Sequence, residues 1–173
     1  MARILALSSH VVRGSVGLAA TVPALQSLGH EVWALPTITL ASRPGLGNAA
    51  MLAAGRRATP ASELAGMLDA LEQDGCWPLL DAVFTGYFPS ADTVAVAADA
   101  IARIRANNPR VQVLVDPIIG DAGRLYVAEA TAAAIRDQIR AIDQVVEKQK
   151  VISSDQIDSD VIAMARANGE ACV

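Results

Sequence analysis

Val111-Gln112-Val113-Leu114-Val115-Asp116-Pro117 is the stretch that decides the fold. It consists of Val and Leu apart from Gln112, and it ends abruptly at an acidic residue and a proline. Such a run is typical of a strand that is buried on both faces of a parallel sheet. The segment before it predicts a helix that begins after Ser90, a candidate N-cap. The apolar face of that helix recurs at helical spacing: Val94, Ala98, Ile101 and Ile104.

The same alternation of strands and helices extends through the rest of the chain. Short apolar runs predict strands at 3–8, 31–35 and 82–85. Helices are predicted in three places: before Gly29, from Thr59-Pro60 with Thr59 as the cap, and around Ile135, Ile139 and Ile142. Residues 37–47 contain several helix and strand breakers and predict a loop. Together these elements predict an α/β fold with a central, mostly parallel sheet.

Composition limits the classes of protein that the chain can belong to. With 173 residues, 53% of them hydrophobic and 18% charged, it is long enough and apolar enough for one folded domain. A formal net charge of -4 argues against a nucleic-acid partner, and no apolar segment predicts a signal peptide or a membrane span. We therefore expect a cytoplasmic protein, in which Cys76 and Cys172 are reduced thiols.

Candidate site residues follow the predicted strands, because ligands of open α/β sheets bind at the carboxyl ends of the strands. Three groups qualify: Ser8-Ser9-His10, residues 42–47, and the segment from Asp116 to Asp121. Asp116 has the best physical case, because a carboxylate held directly after a buried strand can bind Mg²⁺ or a water molecule beside phosphates. The alternative is a structural carboxylate that accepts hydrogen bonds from backbone N–H groups of the turn.

Several common nucleotide and catalytic motifs are absent or out of context. A Walker A loop needs a lysine, and no lysine precedes Lys148. Residues 45–50 match the dinucleotide pattern G-x-G-x-x-A, so a dinucleotide-binding oxidoreductase remains an alternative. Two features argue against it: Pro44 precedes the pattern, and no second strand ends in an acidic residue at the expected distance. Ser9 and His10 are neighbours on one strand and point apart, so they do not form a hydrolase pair with Asp116.

Three spaced motifs, in order, resemble those of pyridoxal kinases, enzymes of the ribokinase-like superfamily. Ser9-His10-Val11-Val12-Arg13-Gly14-Ser15-Val16-Gly17 is similar to the family segment S-H-V-V-x-G-x-V-G. Thr85-Gly86-Tyr87 with Ser90-Ala91 is similar to T-G-Y-x-x-S-A, and the segment from Asp116 to Val127 is similar to D-P-V-M-G-D-x-G-x-L-Y-V. The resemblance covers about residues 3–145.

The resemblance implies a three-layer ribokinase-like domain and an activity. That activity is ATP-dependent phosphorylation of the 5′-hydroxymethyl group of pyridoxal, pyridoxine or pyridoxamine in vitamin B6 salvage. It implies that Ser9 hydrogen-bonds the pyridine ring and that Val16 packs near it, plain core packing being the alternative for Val16. It further implies that Pro44 and Gly45 line the substrate pocket, and that Asp116 lies by ATP and Mg²⁺. A cytoplasmic homodimer is expected, without nucleic acid or membrane partners.

Departures from the family pattern restrict these expectations. Arg43-Pro44-Gly45-Leu46-Gly47 replaces the family's H-T-G/Q-Y-G loop, and Leu18 replaces an asparagine, so a related hydroxymethyl heterocycle is an alternative substrate. No Gly-x-Gly-Asp segment, which supplies the family's anion hole and catalytic base, occurs in the 173 residues. We therefore interpret 1–146 as the N-terminal part of the kinase domain, truncated after its first half, and assign no catalytic residue.

Residues 147–173 are predicted to form a divergent tail. An ordinary polar C-terminal helix is one interpretation of this segment, and a tail foreign to the ancestral domain is the other. A non-catalytic binding or interaction protein that keeps the pocket is the alternative function.

Overall fold

A computed structural model describes residues 1–43, 54–121 and 124–145, so the predicted tail at 147–173 lies outside the described residues. The strands are β1 (Arg3–Arg13), β2 (Glu31–Ser42), β3 (Arg56–Ala58), β4 (Ala82–Thr85), β5 (Gln112–Val115), β6 (Gly120–Asp121) and β7 (Arg124–Leu125). The helices are α1 (Leu18–Ser27), α2 (Ala61–Gln73), α3 (Ala91–Asn107) and α4 (Glu129–Val145), with a 3₁₀ turn at Trp77–Leu79.

Five of the strands form one sheet in the order β3-β2-β1-β4-β5. Strands β2, β1, β4 and β5 are parallel, and only β3 is antiparallel to its neighbour, which confirms the predicted α/β fold with a mostly parallel sheet. The strand before Asp116 was expected to be buried on both faces, but within the described residues β5 lies at the edge of the sheet, and of its four residues Val115 alone is buried. Strands β6 and β7 form a separate antiparallel pair that the sequence did not indicate.

The first two strands are longer than predicted. The sequence suggested 3–8 and 31–35, whereas β1 reaches Arg13 and β2 reaches Ser42, through part of the predicted loop. Their pairing shifts register at Ser8 and Ser9, because Ser8 pairs with Pro36 and Ser9 with Ile38. Thr37 is therefore an extra residue on β2, a β-bulge. Beyond the bulge, β-branched residues such as Val11 and Ile38 favour the continued ladder.

Apolar side chains between the sheet and helices α2 and α3 make the core. Leu5 and Leu7 of β1 are 1% exposed, and Leu64 and Leu68 of α2 are fully buried. Helix α3 contributes Val94, Ala97, Ala100, Ile101 and Ile104. Ala98, expected on this face, is only half-buried, because Ala97 and Ala100 occupy the inner side of the helix. Ile135 of α4 is also buried, as its spacing predicted.

The two predicted helix caps have different outcomes. Ser90 caps α3 as expected, because its Oγ accepts a hydrogen bond from the Thr93 amide at 3.3 Å. Thr59 does not cap α2: its hydroxyl donates to the Pro36 carbonyl at 2.7 Å instead. The N-cap residue of α2 is Pro60, whose carbonyl accepts from the Leu64 amide. The Thr59 hydroxyl, which the sequence predicted as a helix cap, is therefore bonded to β2 instead.

One guanidinium joins the two outer helices. Arg103 of α3 forms ion pairs with Asp69 and Glu72 of α2 and with Asp99 of its own helix. Its guanidinium also lies 5.5 Å from the centre of the Trp77 ring. Isolated exposed ion pairs contribute little to stability, but a shared guanidinium that also covers an aromatic ring restrains the relative position of two helices.

The remaining fold-level expectations concern cysteine and membranes. Cys76 is a free thiol, and burial together with the nearby Asp74 carboxylate raises its pKa, so the thiol is protonated at neutral pH. Cys172 lies outside the described residues. Among the helices that the structure describes, none has the length and apolar content needed to span a bilayer.

A substitution in α2 tests the description of this helix. Gly66 lies on its exposed side, and a Cβ there would contact nothing within 4 Å. Gly66→Ala is expected to raise the free energy of unfolding by about 0.5–1 kcal/mol, because glycine is entropically unfavourable inside a helix. Gly75→Ala is the contrasting control, since Gly75 follows the helix with φ +74°, and it should lower stability. Urea denaturation measures both, and a destabilised Gly66→Ala variant would contradict the assignment.

Candidate functional site

Four buried hydroxyl side chains and one carboxylate lie at, or within two residues beyond, the level at which β4 and β5 end. We call this group the polar edge: Ser8, Ser9, Thr37, Thr85 and Asp116. The exposed fraction of the four hydroxyl residues is between 0% and 7%, and Asp116 is half-buried. Strand β4 ends at Thr85, opposite Leu7, whereas β1 and β2 continue past this point. The extended pair therefore forms a wall beside the ends of β4 and β5.

The loop between β1 and α1 brings Gly17, the residue after Val16, against Ser9. Gly17, the N-cap residue of α1, forms a bridge with His10, so the loop returns to β1. The backbone of Gly17 has φ +58°, and a Cβ there would lie 2.3 Å from the Ser9 carbonyl oxygen and 2.5 Å from Ser9 Oγ. Val16 directly precedes this contact. Its side chain is 39% exposed, so it is not part of the core.

Asp116 directly follows β5 and remains attached to β4. Its amide donates a 2.8 Å hydrogen bond to the Thr85 carbonyl, which extends the β4–β5 ladder by one residue. The chain then turns tightly, because the Ile118 amide donates to the Asp116 carbonyl at 2.9 Å. Oδ1 of Asp116 is buried from solvent. Strands β1 and β5 flank β4, so the backbones at Ser9 and Asp116 are about 10 Å apart across the sheet.

The other predicted substrate loop is only partly covered by the structure. Pro44 and Gly45 lie outside the described residues, and so does the 45–50 dinucleotide pattern. The residue before them is placed: the Arg43 amide donates to the Arg13 carbonyl at 3.1 Å. Gly14, with φ +124°, gives room for the Arg43 side chain. Arg43, the last described residue before this loop, therefore lies next to the end of β1.

Two side-chain contacts in the site region were not expected from the sequence. The Tyr87 amide donates to Ser8 Oγ at 3.2 Å, and Thr37 Oγ1 donates to the Tyr87 carbonyl at 2.6 Å. Gly86 makes the first bond possible, because a Cβ there would lie 2.4 Å from Ser8 Oγ. The Thr85-Gly86-Tyr87 motif marked this turn, but nothing local indicated that Ser8 and Thr37 would reach it.

The polar edge has the chemistry to bind a polar ring and an anion with its counter-ion. Among the residues that the structure describes, no three His, Cys, Asp or Glu side chains are close enough to hold a metal ion by themselves. Mg²⁺ usually needs only one or two carboxylates, with phosphates and water completing its coordination. Asp116 fits that limited part, and the Ser9 hydroxyl can donate to or accept from a heteroaromatic nitrogen or hydroxyl.

Comparison with curated proteins finds relatives of one activity. The chain is 33% identical to pyridoxal kinase PdxY of Corynebacterium diphtheriae over 144 residues, which cover 83% of this chain and 49% of the relative. It is 37% identical to a pyridoxine/pyridoxal/pyridoxamine kinase of Bordetella avium over 135 residues, which cover 78% of this chain and 44% of the relative. No protein-family model matches the chain.

Comparison with solved structures gives the same result. Pyridoxal kinase from Entamoeba histolytica superposes with a TM-score of 0.72 and 26% identity, covering 80% of this chain and 48% of that one. The Leishmania donovani enzyme, in complex with ADP and pyridoxine, has a TM-score of 0.70 and 27% identity over 79% of this chain and 46% of that one. These matches confirm the ribokinase-like architecture. The chain spans about half the length of the relatives that it matches.

A pair of glycine substitutions tests the contact between Gly17 and Ser9. Gly17→Ala is expected to lower the free energy of unfolding by about 3 kcal/mol, because it adds both a positive-φ penalty and a collision with the Ser9 carbonyl. Gly29→Ala should cost about 1 kcal/mol, since Gly29 has φ +83° but open space around it. Chemical denaturation of the two variants measures the difference. Equal losses would show that Ser9 and Gly17 do not pack as described.

Proposed function

We propose that this chain, which is related to pyridoxal kinases over about half of their length, binds the acceptor in the ATP-dependent phosphorylation of pyridoxal or a related hydroxymethyl pyridine. The observation that carries the proposal is the polar edge, where Ser9 of β1 and Asp116 after β5 lie on opposite sides of β4, just beyond the level at which β4 ends. Acceptor and nucleotide must meet at one place for in-line phosphoryl transfer. A separation of two strands leaves room for both.

In this proposal the acceptor lies against β1. The Ser9 hydroxyl hydrogen-bonds the pyridine part of the substrate, and Val16 provides an apolar contact beside it. The exposure of Val16, which directly precedes the Gly17 contact with Ser9, supports this role, because an exposed apolar side chain is available to a flat ring. Pro44 and Gly45 complete the pocket wall. The family's threonine and tyrosine are replaced in 43–47, so a related hydroxymethyl heterocycle is the alternative acceptor. Binding measurements with the three vitamers distinguish the two.

The nucleotide side of the proposal rests on Asp116. We propose that its carboxylate takes part in binding Mg²⁺ next to the phosphates of ATP. The position of Asp116 directly after β5, with its amide bonded to the Thr85 carbonyl, supports this, because a carboxylate on a restrained backbone is a better magnesium ligand than a mobile one. The metal would neutralise charge on the phosphates, and the residues of this chain would orient it. The related Leishmania donovani pyridoxal kinase has a structure in complex with ADP, which supports nucleotide binding in this proposal.

Catalytic competence is a separate matter from binding. The 173 residues contain no Gly-x-Gly-Asp segment, so we assign neither an anion hole nor a catalytic base to the chain. We therefore propose that it binds the acceptor without transferring phosphate by itself. Binding without transfer is also what the alternative function, a non-catalytic binding protein, predicts. Binding and turnover are therefore measured separately.

The remaining partners and the location are also proposals. We propose a cytoplasmic homodimer that takes part in vitamin B6 salvage as an acceptor-binding protein, without nucleic-acid or membrane partners. The formal charge of -4 supports the absence of a nucleic-acid partner. The division into a kinase part at 1–146 and a divergent tail at 147–173 stays a prediction.

Titration of pyridoxal into the purified chain tests the function. Ser9→Ala is expected to weaken pyridoxal binding about fivefold to tenfold, because one hydrogen bond to the ring is lost. Ser27→Ala is the matched control, since the Ser27 hydroxyl bonds only within the exposed end of α1 and should leave affinity unchanged. Pyridoxal-dependent ATP consumption should be undetectable. Robust turnover, or binding that ignores Ser9, would overturn the proposal.

A second titration tests the nucleotide side. Asp116→Asn keeps the size of the side chain but removes the charge that attracts a cation. We expect it to abolish the gain in ATP affinity that Mg²⁺ gives to the unmodified chain, while pyridoxal affinity changes less than about twofold. Calorimetric titrations with and without Mg²⁺ measure both effects. An equal response to Mg²⁺ in the two proteins would assign Asp116 to the structure of the turn.

A further inference from the structure

The segment that follows β4 is held in place by side chains of two other strands. The Gly86 amide donates to the Leu7 carbonyl at 2.8 Å, which is the last regular bond between β4 and β1. One residue later the ladder stops. The amide of Tyr87 is instead satisfied by Ser8 Oγ and its carbonyl by Thr37 Oγ1. Both polar groups of one backbone residue are therefore bonded by hydroxyls from outside β4.

The bulge on β2 explains how Thr37 reaches this position. Thr37 is the extra residue between Pro36 and Ile38, and bulges redirect a side chain while leaving the ladder intact on either side. Its hydroxyl crosses to a residue 50 positions away, at 2.6 Å, and is fully buried. Its own carbonyl accepts from the Thr59 amide at 3.0 Å, so the bulge is fixed from the β3 side as well.

The held segment borders the acceptor side of the polar edge. Ser8 directly precedes Ser9, and Gly86 approaches Ser8 so closely that no Cβ fits between them. Phe88, one residue beyond Tyr87, is 1% exposed and anchors the far end of the segment in the core. Tyr87 itself is half-buried between these two fixed points. Residues 86–88 are thus a restrained segment beside β1, the strand that carries the Ser9 hydroxyl to which the acceptor is assigned.

We propose that Ser8 and Thr37 are positioning residues for the acceptor, which act through the backbone of Tyr87. They make no contact with the acceptor in this proposal; they fix the wall against which it binds. The proposal rests on the proposed function, because it needs an acceptor beside Ser9. Its first step, the restraint of residues 86–88, is a property of the ligand-free chain and can be measured separately.

Thr37→Val tests the proposal, because valine has the shape of threonine without the hydroxyl. In the ligand-free chain, amide hydrogen exchange at residues 86–88 should become about fivefold to tenfold faster. Pyridoxal affinity should fall by a similar factor. Thr37→Ser keeps the hydroxyl and should restore both values. Thr39→Val is the matched control on the exposed side of the same strand, and it should change neither.

Ser8→Ala provides a second variant that does not disturb the bulge. It removes the acceptor of the Tyr87 amide, whose exchange should accelerate while amides in the interior of α3 remain protected. Unchanged exchange at 86–88 in both variants would overturn the restraint, as would a Thr37→Ser variant that fails to recover. Faster exchange with unchanged pyridoxal affinity would overturn the positioning role. If the unmodified chain binds no pyridoxal, the proposed function is wrong, and so is the positioning role that rests on it. The exchange data would still show whether residues 86–88 are restrained.

Discussion

The pairing of β1 with β2 on one side and with β4 on the other is the constraint on which the structure depends. Ala6, for example, is paired with Ala34 and with Phe84 at the same position along the strand. Ser8 and Ser9 directly follow this doubly paired stretch and are still paired with β2, so they cannot move without breaking that ladder. Backbone hydrogen bonds therefore fix the polar edge, and the register of β1 with its neighbouring strands sets the positions of the side chains.

The sequence predicted those elements whose signals are local. Strand β4, the strand before Asp116 and helix α3 were identified because apolar runs, a serine cap and a terminal proline lie within a few residues of one another. The extensions of β1 and β2 were missed because Ser9, His10 and Thr37 resemble loop residues. Only their partners on the neighbouring strand make them strand residues, and pairing across the sheet is not visible in a single sequence.

The candidate site divides in the same way. Ser9 and Asp116 could be selected from the sequence because each follows an apolar run, and the fold places them on the same edge of the sheet. Ser8 was selected together with Ser9, but the bonds of Ser8 and Thr37 to Tyr87 could not be predicted, because they span 79 and 50 residues of sequence. The bulge that aims Thr37 depends on the register of β1 and β2, a non-local property. Motif resemblance located the turn at Tyr87 but not the hydroxyls that hold it.

The short length of β5 has a consequence for solubility. Within the described residues β5 pairs only with β4, so its other side presents amide and carbonyl groups that a foreign strand could use. It has only four residues, and Pro117, which has no amide hydrogen, follows Asp116 closely. A strand from another molecule would gain few bonds before the proline and the tight turn stopped it. The edge thus discourages intermolecular β-sheet growth without needing charged gatekeeper residues.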